Sequence, residues 1–310
     1  MIKDLHVHPL FTIIIPSKNE EEDIADTLEA CINIDYPNKE IIVVDDSSDN
    51  TPNIVSRYSD KGVRLIHREK NSNGCCGARN RGMQEAKGEF VVLVNGDDRP
   101  KPDFLFRILE HYQNGADFVI VRSFVLNSDQ IWGRFTNAHG LSLEKKDEDI
   151  LWCEGFSCRE SAAKNVGYIP GDFPVPFCRD WMFGKALEEN KFKKIIDMSL
   201  TMEHLWPATL KGYFKNQVHR GTHSSPSSFY FRKMSVKYLF IRETLKAIRS
   251  LLRYLLIFPS LYRSIRIAKY SPRGFRDIPA MYCAGLVNDI ATVVGNYKGW
   301  FRLYKSEGFK

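Results

Sequence analysis

No Cys-x-x-Cys pair occurs in this sequence, and its seven cysteines are odd in number and irregular in spacing. That excludes a disulfide framework or a zinc knuckle as the basis of the fold. Cys75–Cys76 and Cys153/Cys158 read as reduced thiols of a cytosolic compartment. Low-complexity tracts and internal repeats are missing. So is any uninterrupted apolar run near the ~20 residues a membrane-crossing helix needs. Tyr254–Tyr262 stops at Arg263, and the longer Ile278–Tyr297 is broken by Asp289 and small polar residues. The first apolar stretch closes at Pro16, too short and too soon for a signal peptide. Basic residues interleaved with aromatic stacking platforms are lacking as well, which disfavours nucleic acid as a partner. What remains is 310 residues, 43% hydrophobic and 26% charged, with a formal charge of +6. Such a chain folds, and it has room for one large domain and an accessory region.

The first 125 residues alternate between two periodicities. Apolar, β-rich runs occupy Phe11–Pro16, Glu40–Asp46, Val63–His67, Glu89–Asn95 and Phe118–Val121. Between the first two, Ile24, Leu28, Cys31 and Ile32 recur at helical spacing behind an acidic first turn. A second helix is predicted after "SSDNTP", with Pro52 in its first turn. Near-continuous apolar strands separated by helices imply an α/β fold with a mostly parallel sheet covered on both faces. Residues 126–225 read as irregular and rich in Gly, Pro, Trp and His; "WCEGFSCRESAAKNVGYIPGDFPVPFCRDWMFGKALEENKF" reads as a loop and short helix, then a proline-stiffened loop, then a helix opening at Asp180. A composition break falls at "HSSPSSF", and the expected domains are therefore 1–225 and 226–310.

Ligands of such sheets sit beyond the carboxyl ends of the strands. Those ends carry "PSKNE", "DDSSDNT" and "NGDD", so polar and acidic residues from three separate segments converge on one edge. A buried strand ending in two adjacent carboxylates, Asp97 and Asp98, is costly unless a positive charge meets it. A hard divalent cation, Mg²⁺ or Mn²⁺, completed by substrate phosphates, fits that chemistry. Alone, the two acids read equally well as a turn before Arg-Pro-Lys-Pro.

They are not alone. "IIIPSKNEE", "EIIVVDDSSDNT", "GARNRGMQEAKGEFVVLVNGDD" and "CRDWMF" occur in this order, and over residues 1–220 the chain resembles the inverting family 2 glycosyltransferases of the GT-A fold. The resemblance implies a Rossmann-like sheet and transfer of a sugar from a nucleotide-diphosphate donor, UDP ahead of GDP, to an acceptor hydroxyl. It places Pro16, Ser17, Asn19 and Glu20 beside the nucleotide, Asp45 on the base, and Asp46 at the ribose or supporting the loop. It brings Arg79 near the diphosphate; Asn80 stays open, and Arg81 reads equally as a helix-surface charge. Asp97 and Asp98 become the metal ligands, with Asp97 also touching the donor. The family's Asp-x-Asp-Asp begins here with Asn95, which carries no charge and puts the strictness of the metal requirement in question. Asp180 matches the general base that takes the acceptor proton, and it also reads as an N-cap. The residue before it, often acidic in the family, is Arg179. Arg220, His219 and His204 are candidate contacts to the diphosphate or metal. The Trp of the processive Gln-x-x-Arg-Trp signature is absent after Arg220, which argues against polymer synthesis.

In the tail, Ile241, Leu245, Ile248, Leu252 and Leu255 form an apolar stripe beside Arg242, Lys246, Arg249 and Arg253. It reads either as helices lying on a membrane surface or as a solvated layer on the catalytic domain. The expected setting is thus the cytoplasmic face of the cell membrane, with the soluble cytoplasm as second choice; a lipid-linked or cell-envelope glycan is the expected acceptor, and oligomerisation is left open. Two other functions compete. A sugar-phosphate nucleotidyltransferase would carry a Gly-rich basic loop after the first strand, where "PSKNEEED" is acidic. A nucleotide-sugar-binding or scaffold protein with an impaired metal site is suggested by Asn95.

Overall fold

The computed structural model describes residues 8–68, 74–143, 154–170 and 179–309. Packing divides the chain into two compact units: Met1–Phe124 with Lys145–His204, and Val125–Glu144 with Leu205–Lys310. The division falls at 204/205, and not at the compositional break near 225.

In the first unit the strands are β1 (Phe11–Ser17), β2 (Lys39–Asp45), β3 (Val63–His67), β4 (Phe90–Leu93), β5 (Asp98–Arg99), β6 (Phe118–Val125), β7 (Ser157–Arg159) and β8 (Lys194–His204). They form one sheet in the order β3-β2-β1-β4-β7-β6-β8-β5. The β3-β2-β1-β4 half is parallel; β7 runs antiparallel to β4 and β6, and β5 antiparallel to β8. This is the α/β architecture expected from the pattern. β5, β7 and β8 lie in the "NGDD" loop and the region read as irregular.

Every residue of β1 and β4 is buried, as two covered faces require. The helices are α1 (Ile24–Ile32), α2 (Thr51–Ser56), α3 (Gly74–Glu85), α4 (Phe104–Gln113), α5 (Ile131–Ser142) of the second unit, α6 (Glu160–Asn165) and α7 (Arg179–Glu189). Ile13, Ile15 and Val92 face one core, filled by Leu28 of α1 and Ile108 of α4. Ile14, Val91 and Leu93 face the other, filled by Met83 of α3 and by Phe183 and Leu187 of α7. Pro16 shares the parity of Ile14, whose carbonyl accepts from Val94 N–H. Its missing donor therefore faces the β4 side, past the end of that strand at Leu93, and no ladder bond is lost. Gly82 lets α3 lie directly on β1: a Cβ there would sit 2.3 Å from Ile14 Cγ2.

The second unit is helical: α5, α8 (Leu210–Gly221), α9 (Ser224–Arg232), α10 (Val236–Leu255), α11 (Phe258–Ala268) and α12 (Ile278–Glu307). At 30 residues, α12 is about 45 Å long, and its glycines bring it close to the backbone of α8. A Cβ at Gly295 would lie 2.3 Å from Val218 O, and one at Gly299 2.2 Å from Thr222 O. These contacts draw the segment from Leu205 to Ser225 into the helical unit. Gly299→Ala is expected to cost about 1–3 kcal/mol through overpacking, measured as a lower urea midpoint with an unchanged slope. Gly274–Glu307 is long and apolar enough to cross a membrane by length and composition. Two of its polar residues, however, are engaged inside the unit. Asp289 accepts from Arg253 at 2.7 Å and from Arg263 at 2.8 Å, and Asn296 donates to the buried Glu243 at 2.7 Å.

Candidate active site

The parallel register places Ser17 opposite Asp45, and Asp45 opposite His67. Three strand ends thereby become one polar row. Ser17 Oγ donates to Asp45 Oδ1 at 2.7 Å, Ser47 Oγ to the same oxygen at 2.5 Å, and His67 Nδ1 lies 2.9 Å from Asp45 Oδ2. Asp45 is fully buried. Direct contact between its carboxylate and a nucleobase therefore requires Ser47 or His67 to turn aside, and His67, 44% exposed at its side chain, is the open end of the row. Asp46 is gripped by Arg68, whose Nε donates to Oδ1 at 2.6 Å and Nη2 to Oδ2 at 2.5 Å. That fork supports the loop and engages both Asp46 oxygens.

The "PSKNEE" and "DDSSDNT" segments are laced together. Asn19, at φ +58°, turns its N–H to Ser47 Oγ at 2.7 Å while its Oδ1 accepts from Ser48 N–H at 2.9 Å. Glu20 N–H donates to Thr51 Oγ1, and Asn50 N–H to Glu21 Oε2. The left-handed backbone that asparagine tolerates lets both ends of one residue bind the neighbouring loop. Glu20 then lies against Gly96, where a Cβ would meet its Cγ at 2.8 Å.

The acidic rim follows from that contact. Asp98 is fully buried; its Oδ2 accepts from Asn95 N–H at 2.7 Å, and its Oδ1 has no hydrogen-bond partner among the described residues. Burial, then the charges of Asp97 and Glu154, push its carboxyl well above the usual range, with Asn95 N–H and Arg79 opposing. Asp97, half-buried, is raised by burial and by Glu154 and Asp23, while His204 pulls it down. Burial, then Asp97, Asp23 and Asp49, raise Glu20 from 4.5 to about 7. His204 stands across the β5–β8 ladder from Asp98.

A fold that raises three carboxyls together is short of positive charge, and the orphaned Asp98 oxygen says the same. These residues fit a hard cation: Asp97 is the carboxylate open to a ligand, with Asp98 behind it, and water and phosphates complete the shell. Among the described residues no three His, Cys, Asp or Glu side chains are arranged to hold a metal by themselves. Asn95 does not stand in for the missing acid. Its Oδ1 accepts from Arg79 Nη2 at 2.9 Å, and Arg79 is 6% exposed.

The pH dependence has a definite sign. Glu20 holds its proton more tightly folded than unfolded, so its contribution to stability is full below about pH 4.5 and is lost as pH rises toward 7. Without metal, the Tm of the wild type is expected to fall across that window more steeply than that of Glu20→Gln, measured by scanning fluorimetry in chelator.

Asn80 is a clamp: its Nδ2 donates to Ile169 O at 2.6 Å and its Oδ1 accepts from Ile169 N–H at 2.9 Å. Arg81 pairs with Glu85 at 2.7 Å on the helix surface. The backbone of Asp180 opens α7, which Phe183 and Leu187 anchor in the core; its side chain lies outside the described residues. Arg220 and His219 are on α8 in the second unit, where the Arg220 guanidinium lies 5.4 Å from the Trp206 ring centroid. His67, Arg68 and Glu154 join the rim without belonging to any of the four motifs. The first two stand at and just past the carboxyl end of β3, where the same strand-end rule would have found them.

Residues 12–164 match the family described as glycosyl transferase family 2. The chain carries a family 2 glycosyltransferase domain. It is 36% identical over 105 residues to the putative teichuronic acid biosynthesis glycosyltransferase TuaG of Bacillus subtilis, a match covering 33% of this chain and 41% of that protein. It is 28% identical over 189 residues to the Escherichia coli enzyme WfgD, named as a UDP-Glc:α-D-GlcNAc-diphosphoundecaprenol β-1,3-glucosyltransferase, covering 60% of this chain and 73% of that one. Most of the relatives compared are thus spanned over less than half their length. The fold is that of the crystal structure of Staphylococcus aureus TarS 1–349, with a TM-score of 0.55 at 16% identity over 94% of this chain and 91% of that one. It is also that of the Pyrobaculum calidifontis mannosyltransferase PcManGT, solved with GDP-Man and Mn²⁺, with a TM-score of 0.58 at 19% identity over 98% and 77%. The sheet of the first unit is therefore a GT-A sheet.

Proposed function

We propose that this chain is an inverting glycosyltransferase that moves a sugar from a nucleotide-diphosphate donor, UDP- ahead of GDP-, to a hydroxyl of a lipid-linked or cell-envelope glycan at the cytoplasmic face of the membrane. The observation that carries it is the acidic rim at the strand ends of a family 2 domain, with a buried Asp98 oxygen that has no partner among the described residues. The names of the relatives support the acceptor class: one acts on a diphosphoundecaprenol-linked sugar. TarS structures with UDP and UDP-GlcNAc support the donor nucleotide.

In this reading the laced loops around Pro16, Ser17 and Asn19 bind the nucleoside. Asp45 and Asp46 shape the floor through Ser17, Ser47, His67 and Arg68. Asp97, backed by Asp98 and faced by His204, would hold Mg²⁺ or Mn²⁺ against the diphosphate. When bound, that ion neutralises charge building on the leaving group. Asp180 takes the acceptor proton as the oxygen bonds to the anomeric carbon. The bond from that carbon to the diphosphate breaks on the opposite face, and its electron pair leaves with the nucleoside diphosphate. Arg79 acts through Asn95, fixing the loop in front of Asp97. Arg220, His219 and His204 remain candidate diphosphate contacts.

The Asn95–Arg79 contact favours one second reading, a nucleotide-sugar-binding protein with an impaired metal site. Purified protein incubated with UDP- and GDP-sugars, Mn²⁺ and a polyprenyl-diphosphate-linked sugar separates the two. The transferase releases nucleoside diphosphate and glycosylates the acceptor with inverted anomeric configuration. A binder is stabilised by donor without turnover.

A further inference from the structure

The edge formed by α10 and α11 leaves large apolar side chains uncovered. Leu255, Leu256, Ile257 and Phe258 at the turn are 61–75% exposed, and Leu245 and Leu251 on α10 are 61% exposed. Scattered exposed leucines need no explanation, but a contiguous apolar edge does. The turn itself is strained. Ile257 has φ +56° and ψ −52°, and Phe258 N–H donates to Leu256 O at 2.5 Å, a γ-turn with positive central φ. That conformation is rare, and for a β-branched residue it is a steric outlier. It holds four apolar residues outward at the tip of the hairpin.

Charge identifies what covers this edge. From Arg232 to Arg276 the sequence has Lys or Arg at twelve positions and one acid, Glu243. Glu243 is buried, where Arg242, Lys246 and Asn296 surround it. The outward charge of the edge is therefore entirely positive. Arg253 and Arg263 are held by Asp289, but exposed Arg249 and Arg266 have no ion pair among the described residues. A groove beside the tip is lined by Leu252, Leu256, Pro259 and Tyr262 under Arg249 and Arg253. A second copy is a poor occupant, since a two-fold interface brings each patch onto itself and here sets base against base.

We propose that the α10–α11 edge docks on an anionic lipid leaflet, with Leu255–Phe258 inserted below the headgroups and Arg249 and Arg266 at phosphate level. An amphipathic hairpin with an apolar tip and a basic collar binds such a surface by apolar burial plus attraction to anionic lipid. The inference rests on the reading that the acceptor is membrane-held, but its readout is lipid binding and not turnover.

The test is sedimentation of the full chain with sucrose-loaded vesicles of phosphatidylcholine alone, or with roughly a third of the lipid as phosphatidylglycerol. The wild type is expected to bind the anionic vesicles at least about tenfold more tightly, and to weaken as salt shortens the Debye length. Leu256→Ser/Phe258→Ser should lose about tenfold on anionic vesicles at unchanged Tm. Arg249→Gln/Arg266→Gln should weaken binding and blunt its salt dependence. Equal binding to both vesicles, no binding by wild type, or wild-type binding by the tip variant overturns the proposal. So does a wild-type dimer abolished by the tip substitutions in a protein that ignores vesicles. Failure of turnover with intact vesicle binding counts against the transferase reading alone.

Discussion

Asp180→Asn is expected to lower kcat by about 10²–10⁴-fold while changing donor affinity by no more than about threefold. Two duties fall to different groups. In the proposed function, holding the donor falls to the strand-end rim of the first unit, without Asp180. Proton removal from the acceptor is assigned there to Asp180, in the first turn of α7, a helix pinned by Phe183 and Leu187. Amide for carboxylate keeps shape and removes basicity. Steady-state kinetics with a saturating acceptor, paired with donor titration by calorimetry, read the two duties separately. Equal loss of donor affinity and kcat would place Asp180 in donor binding instead. Unchanged kcat would remove it from the chemistry.

Asp97→Asn is the second large effect, and it points in two directions at once. Loss of the half-buried Asp97 carboxylate is expected to remove the Mn²⁺-dependent part of donor affinity, about 100-fold or about 2.7 kcal/mol. Affinity measured in chelator should hardly move. Without ligands the same substitution should stabilise the protein, because it removes a charge that burial and Glu154 already disfavour and relieves Asp98 and Glu20. A rise in apo Tm of roughly 2–4 °C is expected, which is about 1 kcal/mol for a protein of this size. A variant with weaker metal-dependent binding and a higher apo Tm marks Asp97 as a functional site kept at a cost in stability. A lower apo Tm would mean instead that Asp97 is structural.

Much of this was legible in the chain because two strong signals coincide there. The runs that became β1, β2, β3 and β4 are apolar throughout, since a doubly covered sheet demands it. Carboxyl ends of parallel strands are where polar residues accumulate, so Ser17, Asp45, Asp97 and Asp98 stood out. β8 carries neither signal. Its residues range from buried to exposed, and β5 and β7 have two and three residues. All three are defined by partners far along the chain. Glu154 joins the rim for the same reason: only the pairing of β7 with β4 brings "EGF" beside "NGDD". Asn95 and Arg79 were each visible, but not that the first would spend its carbonyl oxygen on the second. Gly295 and Gly299 look ordinary in the chain until the backbone of α8 is laid against them.

The central claim is that the rim around Asp97 clasps a cation and a donor diphosphate together. Its most direct test is thermal unfolding of the full chain with UDP-sugar, Mn²⁺, both or neither, since a ligand stabilises the folded state by mass action. The account predicts a larger Tm rise with both than the sum of the separate rises, abolished in Asp97→Asn. Additive shifts, or the same joint shift in that variant, would contradict it.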